Sequence, residues 1–232
     1  MKIEGKNAVR EALDSQSTVE KLLCAKSEND DIVALAKSKG VKVQFVDKKV
    51  LDKESVTGHH QGYVAFTTEF QYCDLEDLWQ SGGEQFIVVL DGILDPHNFG
   101  SIIRVCECAG VTGVVIGKNR QVPVNETVVR CSAGAVSHVK IAKVTNVNRA
   151  IEELKKAGVW VYAADMDGAS MYQTDLSGNV AIVIGGEGEG VSKLTRQLCD
   201  GVVSVPMKGK VNSLNASVAC ALVVYEAVRQ RG

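Results

Sequence analysis

Three short apolar runs, each closed by glycine, constrain this chain more than any other feature. They are FIVVLDG from Phe86, GVVIG from Gly113 and VAIVIGG from Val180. Runs of this length without polar alternation fit strands buried on both faces, and such strands need helices above and below them. Helical spacing lies between and after them, at Asn98–Ala109, Glu126–Val136, Val147–Ala157, Ser192–Cys199 and Leu214–Arg229. Further extended stretches lie at Lys140–Val144, Val159–Ala164 and Val202–Val205. The alternation predicts an α/β domain with a mainly parallel sheet over residues 86–232.

Residues 1–70 read as a separate small α/β unit, and 71–85 as a polar linker carrying Ser81-Gly82-Gly83. The small unit has helices at Asn7–Leu13 and Ile32–Lys39 and strands at Val19–Ala25, Val41–Val46 and Tyr63–Phe66. Its eleven Lys/Arg balance eleven Asp/Glu, yet lysines crowd between positions 37 and 53. That crowd is either a solvated face or a weak RNA-facing patch. The whole chain has a net charge of −2, so nucleic-acid binding needs a local patch and not a global field. No apolar run is long enough to cross a bilayer, and the N-terminus lacks the apolar core of a signal peptide. The expectation is a cytoplasmic protein with no membrane partner. The seven cysteines include no CxxC pair, which predicts reduced, mostly buried thiols and no metal site.

Three polar loops follow strands, where open α/β sheets bind ligands. The first runs from Asp95 to Arg104. Asn98 there is either a helix N-cap or a site residue. Phe99, Ile102, Ile103 and Cys106 form the buried stripe of the helix, and Arg104 lies about 140° from its axis. An arginine so placed is either solvated or faces a phosphate or a partner chain. The second loop, Gly185-Gly186-Glu187-Gly188-Glu189-Gly190, lacks the spacing of a phosphate-binding fingerprint, and its glutamates would repel phosphate. It reads as a flexible turn or as a close backbone approach to an adenine, a ribose or a cationic ligand. The third, Val205–Ser217, sets Pro206 and Gly209 before a helix that is apolar nearly all round. Ser213 and Asn215 either cap that helix or form a rigid polar site beside it.

Together the three loops resemble the three signature motifs of the SpoU, or TrmH, family of RNA 2′-O-ribose methyltransferases. Asn98–Arg104 matches the first motif, Ile184–Gly190 the second, and Val205–Gly209 with Ser213–Ser217 the third. EGKNAVREAL and HHQGYVAF, within the first seventy residues, resemble the substrate-binding domain of the branch that methylates a guanosine in large-subunit (23S) rRNA. The resemblance implies a SPOUT domain with a trefoil knot, preceded by a small α/β substrate-binding domain. It implies S-adenosylmethionine as methyl donor, RNA as partner and a homodimer. It also implies catalytic roles for Asn98, Arg104, Glu187, Ser213 and Asn215, and donor contacts at Gly185, Gly186, Val205, Met207 and Leu214. Transfer RNA as the substrate, or a non-catalytic RNA-binding member, are the alternatives within the family. Because guanidinium groups hold their protons firmly, Arg104 is read as a phosphate clamp and alkoxide stabiliser, not as a base. Ser213 and Asn215 are expected to orient the ribose and Arg104.

Overall fold

The structure, a computed structural model, describes residues 1–14, 19–25, 30–67, 70–79, 82–210 and 213–232. Ser81 of the expected linker, and Val211 and Asn212 of the third loop, lie outside the described residues. In chain order the first elements are β1 (Lys2–Glu4), α1 (Lys6–Asp14), β2 (Val19–Cys24), α2 (Asp31–Ser38), β3 (Lys42–Phe45), α3 (Lys48–Glu54) and β4 (Tyr63–Thr67). Then follow β5 (Phe86–Asp91), α4 (Pro96–Cys108), β6 (Gly113–Gly117), α5 (Glu126–Cys131), β7 (Ile141–Val144) and α6 (Val147–Lys156). The chain closes with β8 (Trp160–Ser170), β9 (Val180–Gly185), α7 (Lys193–Leu198), β10 (Gly201–Ser204) and α8 (Ala216–Arg231).

Contacts divide the chain into two compact units, 1–71 with 124–138, and 72–123 with 139–232. Residues 124–138 fall inside the sequence range read as the second domain, but cluster with the first. The helix expected over Glu126–Val136 is α5 followed by a 3-10 turn at Ala135–Ser137. Glu126 accepts a hydrogen bond from the Lys2 backbone N–H at 2.7 Å, and His138 meets Glu11 at 2.9 Å.

The first unit is a four-stranded sheet in the order β1-β4-β2-β3, antiparallel except for the β2/β3 pair. Leu22 and Leu23, Val64 and Ala65, and Leu51 of α3 are buried in its core. A carboxylate is also enclosed there. Glu4 accepts from the Thr57 N–H at 3.0 Å and from the Ser55 and Thr57 hydroxyls. Burial opposes its charge, but these bonds and Arg130 outweigh that and hold its carboxyl below the usual range.

The second unit is a six-stranded sheet, every pair parallel, in the order β10-β8-β9-β5-β6-β7. Ile87, Val89, Val115 and Val183 project to one face, where they meet Ile151 and Leu154 of α6. Leu75 and Leu78, from the stretch read as linker, join that core. On the other face α4 and α8 pack together, and Phe99, Ile102, Ile103 and Cys106 are buried as the stripe requires. The Cys106 thiol is pushed well up by its hydrogen bond to Cys220 and by burial. None of the seven cysteines is joined in a disulfide.

The last helix, apolar nearly all round in sequence, is buried within this chain on one side only. Cys220, Val223, Val224 and Ala227 are buried, whereas Val218, Leu222 and Tyr225 are 46%, 39% and 48% exposed. These three repeat at i, i+4, i+7, which is one stripe on one face. The buried face also holds Glu226, whose carboxyl Arg229 and Gln230 hold down at about 2.

Candidate functional site

Because β5, β9, β8 and β10 are successive neighbours, the loops beyond their carboxyl ends gather at one edge of the second unit. Asp91 stitches the first two of these loops. Its carbonyl accepts the Gly186 N–H at 3.0 Å, and its carboxylate accepts the Ser192 N–H at 2.9 Å. The glycines of the second loop serve its own packing. A Cβ on Gly185 would stand 2.0 Å from the Gly190 carbonyl carbon, and one on Gly186 2.3 Å from the Gly92 oxygen. Both glycines are therefore required by backbone-to-backbone packing within the protein.

Asn98 is not the cap of α4. Asp95 takes that position, accepting from the His97 and Asn98 N–H groups, with Pro96 opening the helix. Asn98 is left buried at 6% exposure with its side chain free for other work. Its amide donates to Glu187 Oε1 at 2.9 Å. Asn215 donates to Asn98 Oδ1 and to the same Glu187 oxygen, both at 2.9 Å. One side chain from each loop thus closes a three-membered ring. The oxygen of Asn215 is also occupied, capping α8 through the Ser217 and Val218 N–H groups at 2.9 and 3.4 Å. Capping and site-building are both true of this residue. Both amide hydrogens and the oxygen of Asn215 are thus engaged within the protein.

The ring borders a cavity of 660 Å³ in which Glu187, Ser213 and Asn215 are lining residues. Gly185, Gly186, Val205, Met207 and Leu214, the five expected donor contacts, line it as well. Arg104 does not. It is exposed on α4 and no partner holds it among the described residues. Six residues separate it from Asn98, a rise of about 9 Å along the helix.

A fourth wall was missed in the sequence. β8 runs on to Ser170, and its pairing with β10 jumps from Val202↔Ala163 to Val203↔Ala169. Residues 164–168 therefore loop out, and Ala164, Asp165 and Met166 line the cavity. Gly168 returns the chain so closely that a Cβ would lie 2.6 Å from Val202 backbone atoms. Arg196 pins the loop through Asp165 at 3.3 Å and Asp167 at 2.7 Å, and its hydrogen bond lowers the Asp167 carboxyl. The sequence signal was Asp-Met-Asp-Gly directly after an apolar strand, a polar bulge ending in glycine.

The cavity has apolar walls from Ile184, Val203 and Leu214, two carboxylates, and no cation among its described lining residues. Such a site favours a molecule with a flat apolar part and a positive charge, and disfavours a dinucleotide phosphate. A sulfonium-bearing nucleoside fits that description. Among the described residues no group of His, Cys, Asp and Glu is placed to hold a metal.

Comparison with known proteins shows the family of the chain. The SpoU rRNA methylase family profile matches residues 85–225, and a profile for RNA 2′-O ribose methyltransferase substrate binding matches residues 2–73. The Bacillus subtilis protein named "Putative TrmH family tRNA/rRNA methyltransferase YacO" is 42% identical over 237 residues, covering 98% of this chain and 94% of the relative. A 23S rRNA (guanosine-2′-O-)-methyltransferase of Xanthomonas campestris is 41% identical over 239 residues, covering 99% and 96%. Among solved structures, the SpoU methyltransferase AviRb of Streptomyces viridochromogenes, bound to S-adenosylmethionine, superposes with a TM-score of 0.84 at 26% identity, over 99% of this chain and 89% of that one. An S-adenosylmethionine-bound rRNA methyltransferase of Sinorhizobium meliloti gives 0.85 at 27% identity, over 98% and 86%. The profile over residues 85–225 and these full-length relatives show the family: the chain belongs to the SpoU family of RNA methylases.

Proposed function

We propose that this protein methylates the ribose 2′-oxygen of a guanosine in 23S rRNA, with S-adenosylmethionine held in the 660 Å³ cavity. The observation that carries the reading is the Asn98–Glu187–Asn215 ring, formed at the mouth of a cavity whose charged lining is wholly acidic. When bound there, the donor supplies an electrophilic methyl group on a sulfonium centre. Glu187 lends its second oxygen, which has no partner among the described residues, to that positive charge. Asn98 and Asn215 are positioning residues that fix the carboxylate. Ser213 is exposed at the cavity lip, and its hydroxyl orients the ribose. Arg104 clamps the neighbouring phosphate and stabilises charge on the attacking oxygen. An rRNA substrate places the reaction in the cytoplasm, where ribosomes assemble. Incubation with methyl-labelled donor and total RNA is expected to label a guanosine 2′-oxygen in 23S rRNA. Label confined to tRNA, or none at all, would refute the assignment.

Arg104 has its use in a dimer. It stands about 9 Å along α4 from the ring, too far to join it within one subunit. Val218, Leu222 and Tyr225 offer an uncovered apolar stripe on α8, which packs beside α4. A second copy of the chain covers that stripe and brings its own Arg104 to the cavity. Mixing inactive Arg104→Ala with inactive Asn215→Ala protein is then expected to restore activity in heterodimers. A monomeric mass in solution, or mixtures that stay inactive, would count against a shared site.

A further inference from the structure

The first unit holds a cavity of its own, with a volume of 580 Å³. It lies where Ala25 leaves β2, where Lys48 opens α3, and where the loop Gly58–Gly62 enters β4. That loop is held rigidly from behind. His60, 4% exposed, accepts the Gly62 N–H at its Nδ1 at 3.0 Å. Its ring proton is thereby assigned to Nε2, which donates to Asp52 at 2.9 Å. Gln61 Oε1 accepts the Lys6 N–H at 2.8 Å. The backbone turns through left-handed conformations at Gly58, Gln61 and Gly62, with φ of 75°, 54° and 94°. For glutamine that conformation is uncommon, and it persists because the surrounding bonds fix it.

What this scaffold presents has no structural use. The Lys48 ammonium, the His59 ring and the Gln61 amide nitrogen belong to lining residues, and none has a partner among the described residues. Lys48 lies one helical turn before Asp52 yet makes no ion pair with it, because that carboxylate is given to His60. None of the described residues lining the cavity carries a carboxylate. One cation from α3, and one flat ring and one amide donor from the loop, belong to residues lining the same cavity. They match a phosphate, a base face and a base-edge acceptor. Duplex RNA cannot insert a base into such a hollow, whereas an unstacked single-stranded nucleotide can. Phe45, 41% exposed with the Lys37 ammonium 5.8 Å from its ring, pairs with Cys24 at the same end of the sheet. It extends the surface with a second platform for a base.

We infer that the cleft of Lys48, His59 and Gln61 seats one unpaired nucleotide of the RNA substrate, remote in sequence from the methylation motifs. The inference rests on the reading that the chain acts on RNA. Full-length Lys48→Glu and His59→Ala proteins, with Lys156→Glu as a control at an exposed lysine of α6, test it. Affinity for transcribed 23S rRNA should fall about tenfold in each cleft variant, with S-adenosylmethionine binding unchanged as the check on folding. The slope of log affinity against log salt should shrink by about one for Lys48→Glu. The control should bind like wild type. Wild-type affinity in both cleft variants, or an equal loss in the control, overturns the inference. A wild-type protein that binds donor but no RNA overturns the underlying reading and the cleft with it.

Discussion

Asn215→Asp is expected to give a folded protein with almost no activity. Aspartate caps a helix as well as asparagine does, so the bonds from the Ser217 and Val218 N–H groups survive. The two donations to Asn98 and Glu187 do not, and a second carboxylate is placed against Glu187 Oε1, which now lies 2.9 Å from the amide nitrogen. Two charges at that separation repel, and the ring opens. Turnover should fall about a hundredfold, the scale of losing a catalytic geometry by an ångström or so. The melting temperature should barely change. Asn215→Ala should lose the cap too, at a cost of about 1 kcal/mol, and melt roughly 2–4 °C lower. Calorimetry beside a labelled-methyl assay separates the two duties. An aspartate variant with wild-type turnover would mean that the ring is ornamental.

Gly185→Ala should cost far more stability than its size suggests. The new methyl would meet the Gly190 carbon at 2.0 Å and the Val191 nitrogen at 2.1 Å. Neither can step aside, because Gly190 is bonded to the Gly186 carbonyl at 3.0 Å and Ser192 is fastened to Asp91. A loss of about 3 kcal/mol or more is expected, with the melting temperature lower by roughly 6–12 °C and donor binding abolished. Gly188→Ala is the comparison. Its methyl would find nothing within 4 Å, and only the φ of +88° penalises it, by about 1 kcal/mol. If the two variants melt together, backbone crowding is not what requires glycine at 185.

The sequence carried the strand and helix alternation because buried parallel strands leave unbroken apolar runs. It carried the site motifs because each ends a strand. It did not carry partner choice. Asn98 has the residue type of a cap, but Asp95 precedes Pro96, and proline fits the first helical position, so the cap falls three residues earlier. Gly185 and Gly186 advertise a close approach without saying to what, since that depends on the register of distant backbone. The outward loop of β8 was hidden for a similar reason. Asp165, Asp167 and Gly168 interrupt the apolar run, and only the register slip against β10 shows that the strand resumes after them. α3 was read as a run of lysines, because Leu51 is its one buried residue and a single apolar position gives no periodicity.

The membership of 124–138 in the first unit bears on how the protein is made. A ribosome that has released residues 1–71 has not yet released what completes their packing. Glu126 and Arg130, which meet Lys2 and Glu4, come more than a hundred residues later. Between them the nascent chain must carry β5, α4 and β6 of the other unit. The usual order, with an amino-terminal domain folding first while the rest is synthesised, is delayed here until residue 138 is available. The first unit cannot be finished before synthesis of the second has begun.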